Sequence, residues 1–269
     1  MKAFFINMFK GVAIGASMLV PGVSGGTMAI ILGIYDRLID AISNIFKDFK
    51  NNVIFLISVA LGGVIGLLAF AKALEALLNA FHIPMVYFFI GAVLSSIPLL
   101  LKKSGKHKFD YKTILYPLIG IAIIVGITFL PSNNEFNFNA DFVSYLIMFV
   151  TGIIIAIALV LPGLSTSFML LVLGIYDDFL NAINTLDFGF LIPICLFTLI
   201  GIFLVTKILD LLMKKYPRMI YLVIIGFVLG SIYTIFPGLP QGMEILYSIL
   251  LFIVGFASIT YLTTKFGGD

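Results

Sequence analysis

Six stretches of this chain, roughly 53–71, 85–101, 113–130, 188–206, 219–236 and 245–262, contain no charged residue. Each approaches the ~20 residues, and none falls much below the ~17, that a helix needs to cross the hydrocarbon core of a bilayer. The rest of the chain does not offset them. Of 269 residues 61% are hydrophobic and 11% charged, with a mean hydropathy of +1.19, whereas a soluble domain carries about 25% charged residues. Too few polar side chains remain to cover a water-exposed surface. That excludes a soluble enzyme, a nucleic-acid binder and a disordered chain. The expected fold class is an all-α polytopic membrane protein.

Two further apolar regions, 3–43 and 142–183, are interrupted at Pro21-Gly22-Val23-Ser24 and Pro162-Gly163-Leu164-Ser165. Proline removes a backbone donor and glycine loosens the helix, so each region should read as two helical pieces around an irregular tip. The two regions are copies of one another. Thirteen of the 32 positions in 11–42 are identical in 152–183, including the break, Met28/Met169 and the block Leu32–Asp36/Leu173–Asp177. The likeness continues at a slightly shorter offset through Gly66/Gly201, Gly91/Gly226 and Ser96/Ser231. Because a near-copy recurs at 152, the N-terminal apolar stretch reads as part of the fold rather than as a signal peptide.

Basic residues set the orientation, since cytoplasmic loops are enriched in Lys and Arg. The two densest sets are Lys102, Lys103, Lys106, Lys108 and Lys112, then Lys207, Lys214, Lys215 and Arg218. Both should be cytoplasmic. They can share a side only if 142–183 begins and ends on one face, as a hairpin. The same reasoning places the linker 131–141 outside and both termini, with Lys2, Lys10 and Lys265, in the cytoplasm; Lys72 falls on the outer side. The chain is then a single membrane domain, 1–269: repeat one at 1–130, an outward linker at 131–141 and repeat two at 142–269. Each repeat is a broken hairpin followed by three transmembrane helices, and three spans between the hairpins invert the second. From Gly11 to Val20 is ten residues, about 15 Å of helix, or half of the ~30 Å core. Re-entrant hairpins with tips at mid-depth are expected. Inverted repeats with matched broken helices mark transporters whose site lies near the midplane.

At each tip a helix restarts, after Ser24-Gly25-Gly26-Thr27 and after Ser165-Thr166-Ser167. A helix start offers free N–H groups to an anion, hydroxyls add donors, and glycines allow close approach. Capping alone explains each serine singly, but not two matched caps in the two breaks. A helix start contributes only about 0.3–1 kcal/mol to an anion, or ~2 when partly buried, and an unpaired buried charge costs far more. Arg37, directly after the repeated block, could supply a guanidinium for bidentate phosphate contact, or could simply pair with Asp36 or Asp40 at the interface. Asp36 and Asp177 are matched acids at the expected far ends of the returning half-helices, suited to proton coupling or to ending the helix at the lipid boundary. Glu75 and Asp210 read as helix partners of Lys72 and Lys207.

Gly22-Val23-Ser24-Gly25 also fits the Gly-x-Ser-Gly nucleophile motif of intramembrane rhomboid proteases. That chemistry needs an embedded histidine base, and the only histidines are His82, at a span boundary, and His107, in the basic loop. No catalysis and no metal or other cofactor is expected. Gly62/Gly66 and Gly226/Gly230 have the spacing that lets helices pack closely.

Pro21-Gly22-Val23-Ser24-Gly25-Gly26-Thr27, Leu32-Gly33-Ile34-Tyr35-Asp36 and the degenerate Pro162-Gly163-Leu164-Ser165 resemble a bacterial membrane family formerly catalogued as a domain of unknown function, the polyprenyl-phosphate (undecaprenyl-phosphate) transporters. The resemblance covers essentially the whole chain. It implies a flippase in the cytoplasmic membrane that returns the cell-wall lipid carrier from the outer to the inner leaflet, with polyprenyl phosphate and the bilayer as partners. Periodicity and charge alone imply a carrier with an anion-friendly centre, leaving open a small-anion channel or exchanger and a membrane enzyme acting on a lipid phosphate. Small, apolar helix surfaces are compatible with a homodimer.

Overall fold

The computed structural model describes residues 2–18, 24–105, 109–129, 142–164, 166, 169–170 and 173–266. Twelve helices are defined among them: α1 Lys2–Met18, α2 Gly25–Ile31, α3 Tyr35–Ser43, α4 Phe49–Ala80, α5 His82–Leu94, α6 Ile97–Lys103, α7 Tyr111–Thr128, α8 Phe142–Val160, α9 Tyr176–Thr185, α10 Phe188–Lys215, α11 Pro217–Ile235 and α12 Glu244–Phe266. Six segments are long and apolar enough to span a membrane: Phe49–Phe70, His82–Lys103, Tyr111–Thr128, Phe188–Lys215, Pro217–Ile235 and Glu244–Tyr261. They coincide with the six uncharged runs. Their outward faces carry side chains such as Leu68, Ile192 and Ile253, all more than half exposed, as lipid contact requires. This is a multi-pass membrane protein.

The helices pair in a pattern that exchange of the two halves leaves unchanged. Within the halves, α1 packs on α4 and α8 on α10; between them, α5 packs on α12 and α7 on α11. Glycine makes these approaches close. A Cβ at Gly91 would lie 2.2 Å from the Phe252 carbonyl oxygen, and one at Gly226 would lie 2.2 Å from that of Pro117. The offset from Gly91 to Gly226 also relates Pro117 to Phe252. Gly62 and Gly66 likewise meet the backbone of α1, at Met8 and Val12.

The hairpins differ from expectation in two respects. The inbound helices α1 and α8 have 17 and 19 residues, about 25 and 28 Å, not the ten residues expected from 11–20. The returning limb is broken a second time. Gly33 and Gly174 adopt left-handed φ of 68° and 71°. Ile34 N–H donates to Ala29 O at 3.0 Å and Gly33 N–H to Ile30 O at 2.9 Å, and in the second copy Ile175 N–H donates to Leu170 O at 3.1 Å. This is the Schellman termination, in which a left-handed glycine lets the last helical carbonyls be satisfied. The repeated Leu-Gly-Ile-Tyr-Asp block is therefore a stop-and-restart signal. Asp36 stands in the first turn of α3, opening a helix instead of ending one. Lys10 of α1 donates to Leu32 O at 2.8 Å and ties the two limbs together.

Candidate functional site

The two breaks meet. Ser24, extended at φ −83° and ψ 147°, caps α2 by accepting the Thr27 N–H at 3.2 Å. Its hydroxyl lies 3.0 Å from that of Thr27. From the other break, the Gly163 N–H donates to Ser24 Oγ at 2.9 Å and to Thr27 Oγ1 at 3.1 Å. Ser24, Thr27 and Gly163 are all buried, where an unsatisfied polar group would be costly. Gly26 permits the approach, because a Cβ there would stand 3.2 Å from both N and Cα of the fully buried Pro162. Gly163 has φ +87°, and a Cβ on it would lie 2.6 Å from the Phe227 carbonyl oxygen of α11. Tyr35 adds a third tie, its buried phenol donating to Val160 O at 3.0 Å.

Of the residues expected at the tips, Ser24, Gly25, Gly26, Thr27, Pro162, Gly163 and Thr166 are described, and all but Gly25 and Thr166 belong to this junction. Gly25 begins α2 beside the Met18 side chain. Thr166 is helical and half-buried. Pro21, Gly22, Ser165 and Ser167, and the side chain of Asp177, lie outside the described residues. Arg37 is exposed on α3, 3.4 Å from Asp40 Oδ2 and stacked over the Phe55 ring at 5.2 Å; neither partner belongs to the junction.

The ion-paired side chains gather at one end. Asp36 is ion-paired with Lys103 and accepts the Tyr221 phenol at 2.9 Å. Lys214 bridges Asp40 at 3.2 Å and Asp210 at 2.8 Å. Asp210, 8% exposed, also accepts from Ser43 and Asn44 at 3.3 Å each. Its cation is thus Lys214, one turn on, where the sequence suggested Lys207. The i,i+4 spacing was a readable signal for it. Arg218 holds Asp110 in a two-pronged pair and also donates to Thr113 at 3.1 Å. The guanidinium keeps the Asp110 carboxyl below the usual carboxylate range. Burial pushes the Asp40 carboxyl up, but hydrogen bonds from Lys214 and Asn44 outweigh it and lower it overall. These contacts bring both basic loops and α3 to the same end. Tyr35, Lys103 and Tyr221 were not anticipated as partners. Tyr35 lies within the repeated block, but nothing in the sequence marks its bond to Val160.

Comparison with known proteins gives the junction a context. Residues 14–248 match the family described as VCA0040-like, undecaprenyl phosphate translocase-like. A polyprenyl-phosphate transporter of Staphylococcus aureus is 36% identical over 264 residues, covering 94% of this chain and 93% of that protein. A polyprenyl-phosphate transporter of Vibrio cholerae is 32% identical over 249 residues, covering 87% and 78%. No solved structure matches the chain significantly. The match runs through both breaks and every span but the last, whose residues only begin within it, so the chain belongs to the undecaprenyl phosphate translocase-like family.

Proposed function

We propose that this chain is a transporter of a polyprenyl monophosphate, moving it from the outer to the inner leaflet of the bacterial cytoplasmic membrane with the basic end facing the cytoplasm. Both termini face the cytoplasm in this scheme. The reading rests on one observation above the others: the Gly163 N–H of one break is bonded to the Ser24 and Thr27 hydroxyls of the other. Here those hydroxyls serve as acceptors of the amide. A phosphate entering between the breaks would take the amide and both hydroxyl protons as donors, so one set of groups is satisfied with and without substrate. α2 has only seven residues, so its dipole adds little, and the hydroxyls and amide carry the contact. Hydrogen bonds to a charged group contribute about 1.5–3 kcal/mol each. Cavity water or a mobile cation must supply the rest, because burying an unpaired charge costs more. Ser165 and Ser167 would complete the cradle from the second break, and Asp36 and Asp177 are the matched acids available for proton coupling.

In this reading the halves are inverted with respect to one another, an arrangement suited to alternating access. The interface pairs α5 with α12 and α7 with α11, so a rocking motion of one half against the other exchanges equivalent contacts. The prenyl tail needs no burial in protein and stays in lipid. The protein acts without covalent chemistry on the substrate.

The test is a proteoliposome assay with fluorescent polyprenyl phosphate. Ser24→Ala with Ser165→Ala should slow transport at least about tenfold, the effect of losing ~1.4 kcal/mol. Transport at the wild-type rate would remove the junction from the substrate path.

A further inference from the structure

The first turn of α3 carries two adjacent side chains bonded to different parts of the molecule. Tyr35, 2% exposed, donates to the carbonyl of Val160, the last residue of α8 and two before Pro162. That carbonyl is one of the four at a helix end that have no partner within the helix. The next residue, Asp36, holds Lys103 of α6 and the Tyr221 phenol of α11. Further along, Asp40 takes Lys214 of α10, and Ser43 donates to Asp210 of α10. One short helix is thereby bonded to the junction of the breaks and to three helices at the basic end.

The second half lacks the means to build the same set. At the offset relating Gly91 to Gly226, Lys103 corresponds to Gly238, Tyr221 to Val86 and Lys214 to Asn79. At the offset relating Pro21 to Pro162, Asp40 corresponds to Asn181. The packing contacts are duplicated, but the cations and the phenol stand at one end only. Such pairs add little to overall stability. Asp36, Asp40 and Lys214 have side chains 42%, 42% and 59% exposed, so water can replace their partners when they part. Contacts with that balance suit a two-state element better than a permanent brace.

We infer that α3 is a one-sided latch: Asp36 and Asp40 close it over the basic end, and Tyr35 is the positioning residue that keys it to the junction. A group that parts 24–27 from 160–163 draws the Val160 carbonyl away from the Tyr35 phenol, and the freed first turn of α3 releases Lys103 and Tyr221. The inference rests on the proposed function only for what parts the breaks; the latch itself exists without substrate.

The full chain in nanodiscs tests it without lipid phosphate. Spin labels go on Lys47→Cys, in the turn after α3, and Lys102→Cys, on α6, both exposed, in a Cys195→Ser background. Asp36→Asn and, separately, Lys103→Met should each add a longer-distance population. The open-to-closed ratio should rise about fivefold, the equivalent of ~1 kcal/mol. Exchanging the charges, Asp36→Lys with Lys103→Asp, should restore the single distance. Tyr35→Phe keeps the ring and both ion pairs and should still raise the longer population, which lost packing at the junction alone would not do. Unchanged distances in Asp36→Asn and Lys103→Met overturn the latch. A response in those two with none in Tyr35→Phe overturns the keying. If the distances respond as described but wild-type protein moves no polyprenyl phosphate, the proposed function has failed and the latch has not.

Discussion

Gly163 satisfies two demands that no other residue type meets. Its φ of +87° lies where side chains with a Cβ are strained, and the Phe227 carbonyl occupies the place a Cβ would take. The left-handed conformation costs roughly 1–2 kcal/mol for a residue other than glycine, and the clash adds to it. Gly238 separates the two terms, since its φ is +94° with open space around it. Gly163→Ala should therefore lower the melting temperature in detergent clearly more than Gly238→Ala, and should also slow transport. Equal losses would mean that α11 does not press on the second break. The role of Ser24 as a cap was legible from Ser-Gly-Gly-Thr alone. Its second role was not, because the N–H it accepts comes from a residue 139 positions away and no local pattern reports such a bond. Arg37 left two readings open in the sequence, a substrate contact or a pair with Asp36 or Asp40, and its partners are Asp40 and the Phe55 ring.

At the level of elements, the spans were legible because lipid leaves no alternative. An uncharged run of that length must satisfy its backbone within itself, so composition alone located six helical segments. The breaks were legible for the same reason, as Pro-Gly interrupts that ladder. Helix length was not. α1 starts at Lys2, well before Gly11, because Phe4, Phe5 and Phe9 continue an apolar face that carries no signal of where a hairpin limb should begin. The second break, at Gly33 and Gly174, is written in the duplicated block, but it falls earlier than expected: the helix ends at the glycine, and Asp36 opens the next one. The matched glycine contacts make a sharper claim than the alignment did. Gly91→Val and Gly226→Val each force a side chain into a backbone at an equivalent crossing, and overpacking of this kind costs about 1–3 kcal/mol. Thermal unfolding of the two variants should show similar losses. A large loss in one and none in the other would contradict the equivalence of the α5–α12 and α7–α11 interfaces.

Across the whole molecule, the few charges are distributed unevenly. Among the described residues, all five ion pairs join residues of α3, the α6–α7 segment and the α10–α11 segment, at one end. The centre where the breaks meet is built from hydroxyls, amides and carbonyls. A neutral, hydrogen-bonding centre beside an end that gathers the ion pairs suits an anionic head group that must arrive, be held weakly and leave. The duplication supplies the paired breaks, and the departures from it, at Lys103, Lys214 and Tyr221, supply the difference between the ends. The central claim is that the junction recognises a phosphate on a lipid tail. It is tested most directly in proteoliposomes containing the wild-type chain, by comparing transbilayer movement of a fluorescent polyprenyl phosphate with that of the matching neutral prenol. The account predicts that the protein accelerates the phosphate and leaves the prenol at its protein-free rate. Equal acceleration of both lipids, or of neither, would contradict it.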